Sequence, residues 1–388
     1  MRRYAATVLV VQLWLSSAWA KPVKWTLKLD SGAEYDSNIH RLEVPADQQS
    51  AVDGAPLMRT SGELTTSWRR DKGEHMRFVG LGLAKLFATA EGQSENVLVL
   101  AGDGQYEWAL GKRGAVLGVR GTYYDAFAAD LGLSNVLPQG RNFAMANAEA
   151  SLTAIGPKGH RLIMHAGYRD FVYKPDADFD WRGDHYGLRF ETTWWRGDPD
   201  KDLDAASVDI NVGYVVGRRS YVSGRAFTNG CPNANDPDPT CFVPSDIPRA
   251  DLNHQVAVDV AYNTGSRIWS ARYELQVNDS NSFGHALARQ RLELGLTAAL
   301  GKKLSVTASV AILFNTFLDP LLLGDERTNT FVTIDDENRN AAQVIVERKL
   351  NKHWSAEARY SLFTNEFATQ QLHFRRQVVY AGLGYAYN

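Results

Sequence analysis

Sixteen runs of alternating apolar and polar residues, joined by connections that are short and long by turns, constrain this 388-residue chain more than anything else in it. The runs lie near 22–35, 57–70, 74–88, 95–109, 113–127, 141–156, 159–174, 184–197, 204–218, 251–263, 266–278, 286–300, 303–317, 339–350, 353–365 and 372–387. Each has roughly the length that a tilted strand needs to cross a bilayer. Every second connection is a tight polar turn: Asp71-Lys72-Gly73, Gly111-Lys112-Arg113, Gly156-Pro157-Lys158-Gly159, residues 197–202, Asn263-Thr264-Gly265, Gly301-Lys302 and Asn351-Lys352. The intervening connections are generally longer, at 36–56, 128–140, 219–250 and 318–338 among others. Short turns on one side and long loops on the other are the habit of a transmembrane barrel, whereas a soluble sandwich has no reason to keep that parity. The expected fold is all-β: a closed antiparallel transmembrane β-barrel of about sixteen strands.

The N-terminus supports an exported chain. Arg2 and Arg3, an apolar stretch over residues 5–15 and Ala18-Trp19-Ala20 have the layout of a cleaved signal peptide. The expected organisation is a signal peptide at 1–20 and a barrel at 21–388, with no apolar run of about 18 residues for a membrane helix. Losing two arginines takes Lys+Arg from 42 to 40 against 44 acids, a balance that excludes a nucleic-acid partner. Cys231 and Cys241 sit close together in a segment rich in Asn, Asp and Pro, and an oxidising compartment makes a disulfide the expectation. Asp236 and Asp238 between them match no standard calcium loop.

At the other terminus, Tyr380-Ala381-Gly382-Leu383-Gly384-Tyr385-Ala386-Tyr387 alternates and ends in two aromatics, with Gly382 three positions before the first of them. This resembles the C-terminal signal by which outer-membrane barrels are recognised, and it implies the barrel assembly machinery as a partner. Leu383, Tyr385 and Tyr387 share one face, with the aromatics at the membrane boundary.

Parity also assigns the inner wall. Arg120, Tyr124, Arg169, Arg189, Glu191, Trp195, Arg289, Arg291, Glu293 and Arg359 are expected to face the lumen and line the path of whatever passes. Acids and bases are nearly balanced there, so many should pair across neighbouring strands. Arg169, Arg189, Arg289 and Arg291, with Tyr124 and Trp195, are the candidates for guiding an anionic or sugar polymer, since arginine forks suit carboxylates and aromatic faces suit sugar rings. Catalysis is not expected. The inward His165 and His185 have no serine motif beside them, and no metal-ligand spacing or phosphate-cradling loop is present, so neither metal nor cofactor is implied.

One motif reaches beyond the fold class. The first run ends Gly32-Ala33-Glu34-Tyr35-Asp36-Ser37-Asn38. This ending resembles the first barrel strand of the polysaccharide-secretion porins, meaning the poly-N-acetylglucosamine and cellulose exporter barrels and the stand-alone exopolysaccharide export barrels. It is also similar to that of the surface-lipoprotein assembly modifiers. On residues alone, Tyr35, Asp36, Ser37 and Asn38 also suit an interfacial tyrosine followed by turn residues. The resemblance implies a bacterial outer-membrane conduit for secretion of a polysaccharide, in contact with lipid and with a separate periplasmic export partner. A general or solute-specific porin for passive diffusion of small solutes, and a surface-lipoprotein translocation modifier, are the alternatives. The third outer connection, 131–141, holds no acid, unlike the inward loop usual in trimeric general porins.

Overall fold

The computed structural model describes residues 23–40, 44–45, 52–69, 74–90, 92–111, 114–128, 143–174, 177–196, 206–229, 242–283, 285–317, 340–364 and 372–387. The signal-peptide and Cys231–Cys241 expectations lie outside these residues.

Sixteen strands close into one antiparallel barrel. They are β1 (Lys24–Asp36), β2 (Ala55–Arg69), β3 (His75–Phe87), β4 (Val97–Leu110), β5 (Ala115–Ala128), β6 (Phe143–Ile155), β7 (Arg161–Tyr173) and β8 (Trp181–Arg196). Then come β9 (Ala206–Asn229), β10 (Phe242–Asn263), β11 (Arg267–Ser280), β12 (Leu287–Ala299), β13 (Leu304–Phe317), β14 (Asn340–Lys349), β15 (Trp354–Thr364) and β16 (Arg375–Tyr387). Each pairs with its neighbours in sequence, and β1 pairs with β16 from Leu27↔Tyr387 to Asp36↔Val378. Closure leaves no strand edge within the wall, so the backbone there is hydrogen-bonded without help from water.

Alternation puts apolar residues outside. Leu29, Leu162, Leu188, Leu294, Val344 and Leu383 point outward and are 42–51% exposed, a belt that only lipid would cover. At the short-turn end stand Trp25, Trp194, Tyr262, Trp269, Trp354 and Tyr387; toward the other end stand Tyr35, Tyr123, Tyr168 and Tyr186. From Trp25 to Tyr35 along β1 is about 33 Å at the usual rise. A strand tilt of ~40° reduces that to roughly 25 Å across the membrane, the height of the apolar band in such barrels. Belt, girdles and connection parity are those of a bacterial outer-membrane barrel. The short turns tighten through glycine where the backbone is left-handed, as at Gly265 (φ 77°) and Gly301 (φ 83°).

Two regions depart from the sequence expectation. Alternation predicts one long loop over residues 219–250, yet β9 runs to Asn229 and β10 starts at Phe242, forming a two-stranded ribbon beyond the barrel wall. Lipid-facing alternation stops at Gly217 because outward residues above the bilayer need not be apolar, while backbone pairing continues. Inward-facing polar residues brace the base of the ribbon. Asp251 accepts from Arg249 (2.8 and 3.1 Å), Ser280 (2.6 Å), Asn278 (3.3 Å) and the Tyr221 hydroxyl (3.1 Å), and Arg249 also lies 4.2 Å above the Tyr221 ring. Register shifts between Ser220 and Phe227 mark where the ribbon bends. The second departure is at the last strand, expected from residue 372. Its barrel portion starts at Arg375, and Leu372–His373 pairs instead with Val44–Pro45 of the first outer connection.

The described start of that first connection packs inward. The Ile39 N–H donates to the Asp53 carbonyl (3.1 Å), and its side chain is buried against the inward-facing Ala55, Leu57 and Phe87.

Candidate functional site: the lumen wall and its outer mouth

Along the inner wall, the arginines predicted to face the lumen mostly meet acids. Arg120 Nε donates to Asp103 (2.8 Å); Arg161 (3.1 Å) and Arg189 (2.8 Å) share Glu191; Arg291 meets Glu293 (2.6 Å); Arg359 Nε donates to Glu357 (3.0 Å). Arg272, also inward by parity, bridges Glu274 (2.9 Å) and Asp259 (3.4 Å). Partners sit two residues apart on one strand, or directly or diagonally opposite on adjacent strands, the places where same-face side chains touch. Most of these pairs are partly exposed, so each stabilises little. Their effect is to line the lumen with fixed dipoles and little net charge.

The four guiding arginines expected from sequence do not form one group. Arg169 and Arg189 lie on β7 and β8, and Arg289 and Arg291 on β12, with three strands between. Shared inward parity does not make a patch, because position around the circumference separates the strands. Arg289 is buried, with its Nε donating to Asn315 (2.9 Å). Arg169 forms no ion pair with a described residue.

What does converge at the outer mouth is aromatic. The rings of Tyr124, Phe143, Phe171 and Trp181, from four adjacent strands β5–β8, follow one another at centroid distances of 4.8, 5.4 and 5.6 Å. Phe171 and Trp181 are direct cross-strand partners, and all four are inward and half-buried. The Arg219 guanidinium lies 4.9 Å above the Trp181 ring. Arg169 stands two residues from Phe171 on the same face of β7, opposite Gly183. Between Arg169 and Arg219, Gly183 presents no side chain on the inner wall. The result is a row of flat apolar faces with two cations at one end. Of this row only Tyr124 was expected; Phe143, Phe171 and Trp181 sit at strand ends, where lipid-type composition hides an inward parity that the register reveals. Trp195 is inward but 53% exposed at the opposite end of β8, remote from the row.

The first-strand motif has a structural place. Tyr35 points outward, whereas Asp36 is buried in a two-pronged pair with Arg376 of β16, with Nε 2.9 Å from each carboxylate oxygen. Ser37 and Gln377 exchange hydrogen bonds at 3.0 and 2.8 Å. Asn38, fully buried, donates its N–H to Asp36 (3.0 Å) and its amide to the Arg375 carbonyl (3.4 Å). One step deeper, Glu34 holds Lys85 (2.8 Å) and Arg59 (3.6 Å). Tyr380 donates to Asp30, with Arg59 and Arg359 over its ring at 5.5 and 5.4 Å. The motif therefore fastens the seam where the first and last strands meet. At the other end of the seam, Tyr387 stacks on Trp25 across it (4.9 Å), and on the opposite side of β16 Tyr385 meets Trp354 of β15 edge-on (5.2 Å). Gly382 is needed because a Cβ there would run into the Tyr380 ring.

No protein-family model matches the chain, and no curated protein matches it. Among solved structures it is similar to an anion-selective porin from Comamonas acidovorans (12% identity, TM-score 0.45, covering 94% of this chain and 99% of that one). It is similar also to a BenF-like porin from Pseudomonas fluorescens (9% identity, TM-score 0.44, 94% and 99%). A third is CdiB from Acinetobacter baumannii (8% identity, TM-score 0.48, 93% and 60%).

Proposed function

We propose that the barrel is an outer-membrane channel for carbohydrate chains, working in the direction of polysaccharide secretion that the first-strand resemblance implies. The observation that carries this reading is the row Tyr124–Phe143–Phe171–Trp181 at the mouth. The C–H faces of pyranose rings pack against aromatic faces without demanding one fixed register, so a chain slides from ring to ring. Arg169 and Arg219 beside the row would meet acidic substituents on such a chain. Beneath the mouth, paired wall charges keep the lumen wet without holding the polymer at one point.

In planar bilayers, oligosaccharides added to the outer side should reduce single-channel current in a concentration-dependent way. Phe171→Ala with Trp181→Ala should weaken that block at least tenfold while leaving the open conductance near its starting value. A deletion strain should lose a surface or secreted polysaccharide and regain it poorly with the double variant. A strain that keeps its polysaccharide but loses uptake of a small solute would make the barrel a passive porin instead.

A further inference from the structure

Below the aromatic row, on β6, β7 and β8, three inward side chains converge that the channel reading does not use. Glu149 Oε2 lies 3.1 Å from His165 Nδ1 and 3.4 Å from His185 Nε2. The three candidate ligand atoms all fall within 4.8 Å of one another. We propose that Glu149, His165 and His185 bind one divalent transition-metal ion of the zinc, nickel and copper class in the channel wall.

Two imidazoles and a carboxylate form a donor set suited to those ions rather than to magnesium or calcium, which prefer oxygen throughout. Ligands about 2.1 Å from a tetrahedral metal stand roughly 3.4 Å apart, close to two of the separations already present. A metal would replace the hydrogen bonds on the shared carboxylate oxygen. Each histidine would then coordinate through the nitrogen already turned toward Glu149, with any proton moved to its other ring nitrogen or released. Three protein ligands leave a tetrahedral ion one position for water.

The backbone makes room for this arrangement at two places. His165 lies opposite Gly187 and His185 opposite Gly167, a reciprocal exchange across the β7–β8 pair. A Cβ at Gly167 would sit 2.5 Å from His185 Cε1 and 2.7 Å from its Nε2; one at Gly187 would sit 2.6 Å from His165 Cε1. Each imidazole thus occupies the space that a side chain on the neighbouring strand would fill; the three atoms nearest a Cβ at Gly187 all belong to the His165 ring, while one at Gly167 would also come 2.7 Å from the Ala148 carbonyl oxygen. Hydrogen bonding of two histidines to a wall carboxylate does not by itself require both vacant positions.

The site is independent of what the channel carries. Tag-free protein in detergent, stripped with chelator, should bind one equivalent of Zn²⁺ or Ni²⁺ by calorimetry and by metal analysis after dialysis. Glu149→Gln and the double variant His165→Asn/His185→Asn should each weaken binding at least tenfold. Gly167→Ala and Gly187→Ala, which keep every ligand, should weaken it similarly, with heat-modifiable mobility showing that the barrels are folded. Micromolar Zn²⁺ should lower wild-type channel current, and chelator should restore it. Absence of one-to-one binding by the wild type, or equal binding by folded Glu149→Gln, would overturn the proposal.

Discussion

Asp36 and Arg376 stand 340 positions apart in the chain and meet as a buried two-pronged ion pair, with side chains 2% and 3% exposed. They join the outer ends of the first and last strands, the one junction that no turn holds together. Removing one partner leaves a buried charge without compensation, which costs about 3–5 kcal/mol, whereas replacing both with apolar residues of similar size costs far less. Asp36→Asn or Arg376→Gln should therefore lower the temperature at which the folded band converts to the unfolded one in gel electrophoresis. Asp36→Leu with Arg376→Met should recover most of the loss; a double variant as unstable as the worse single would mean that the pair's role is not electrostatic.

The far end of the same seam is closed by rings. Tyr385→Ala with Tyr387→Ala removes the partners of Trp354 and Trp25. Aromatic pairs contribute about 0.5–1.5 kcal/mol each beyond area burial. Pulse-labelled cells should show a marked fall in heat-modifiable barrel and accumulation of degraded protein, with normal assembly counting against the terminal strand as an insertion signal.

The wall arginines should separate into two behaviours. Arg189→Gln and Arg291→Gln each strip the nearest cation from a lumen acid, Glu191 and Glu293. Reversal potentials in a salt gradient should shift toward cation selectivity for both, more so for the double variant. Arg289→Gln instead removes a buried hydrogen bond to Asn315 and should cost about 1–3 kcal/mol of stability with little change in selectivity. A uniform selectivity shift across all three would show that burial of Arg289 is unimportant.

Cys231 and Cys241 fall between Asn229 and Phe242, the last paired residues of the ribbon. A disulfide between them should be present in freshly isolated outer membranes, and Cys231→Ser/Cys241→Ser should leave barrel assembly unchanged, as read by heat-modifiable mobility. Titration finding two free thiols per chain would contradict the bond.

The strands were legible in the sequence because lipid outside and water inside impose a two-residue period on each run. The same period placed Tyr124 and Arg120 on the inner wall. What stayed hidden depends on register. Phe143 and Phe171 read as ordinary apolar strand-end residues until pairing sets them beside Tyr124 and Trp181. His165 and His185 were legible as inward neighbours, but not that the stagger of a third strand delivers Glu149 to both. Asp36, Ser37 and Asn38 have the composition of a turn, and only ring closure shows that the partners of Asp36 and Ser37 are 340 residues away.

The ribbon built from the outer parts of β9 and β10 changes how the protein meets its surroundings. Its part beyond the barrel wall, residues 222–229 of β9 and their partners on β10, bends at the register shifts and is hydrogen-bonded to the rim, from the Val222 N–H to the Asp180 carbonyl (2.9 Å) and from the Phe283 N–H to the Phe227 carbonyl (3.0 Å). An antibody, a phage or a neighbouring cell would therefore meet a braced rim on this side of the pore. Its outward-facing residues touch neither the aromatic row nor the seam, so they are free to diverge under immune or viral pressure without altering passage through the lumen below.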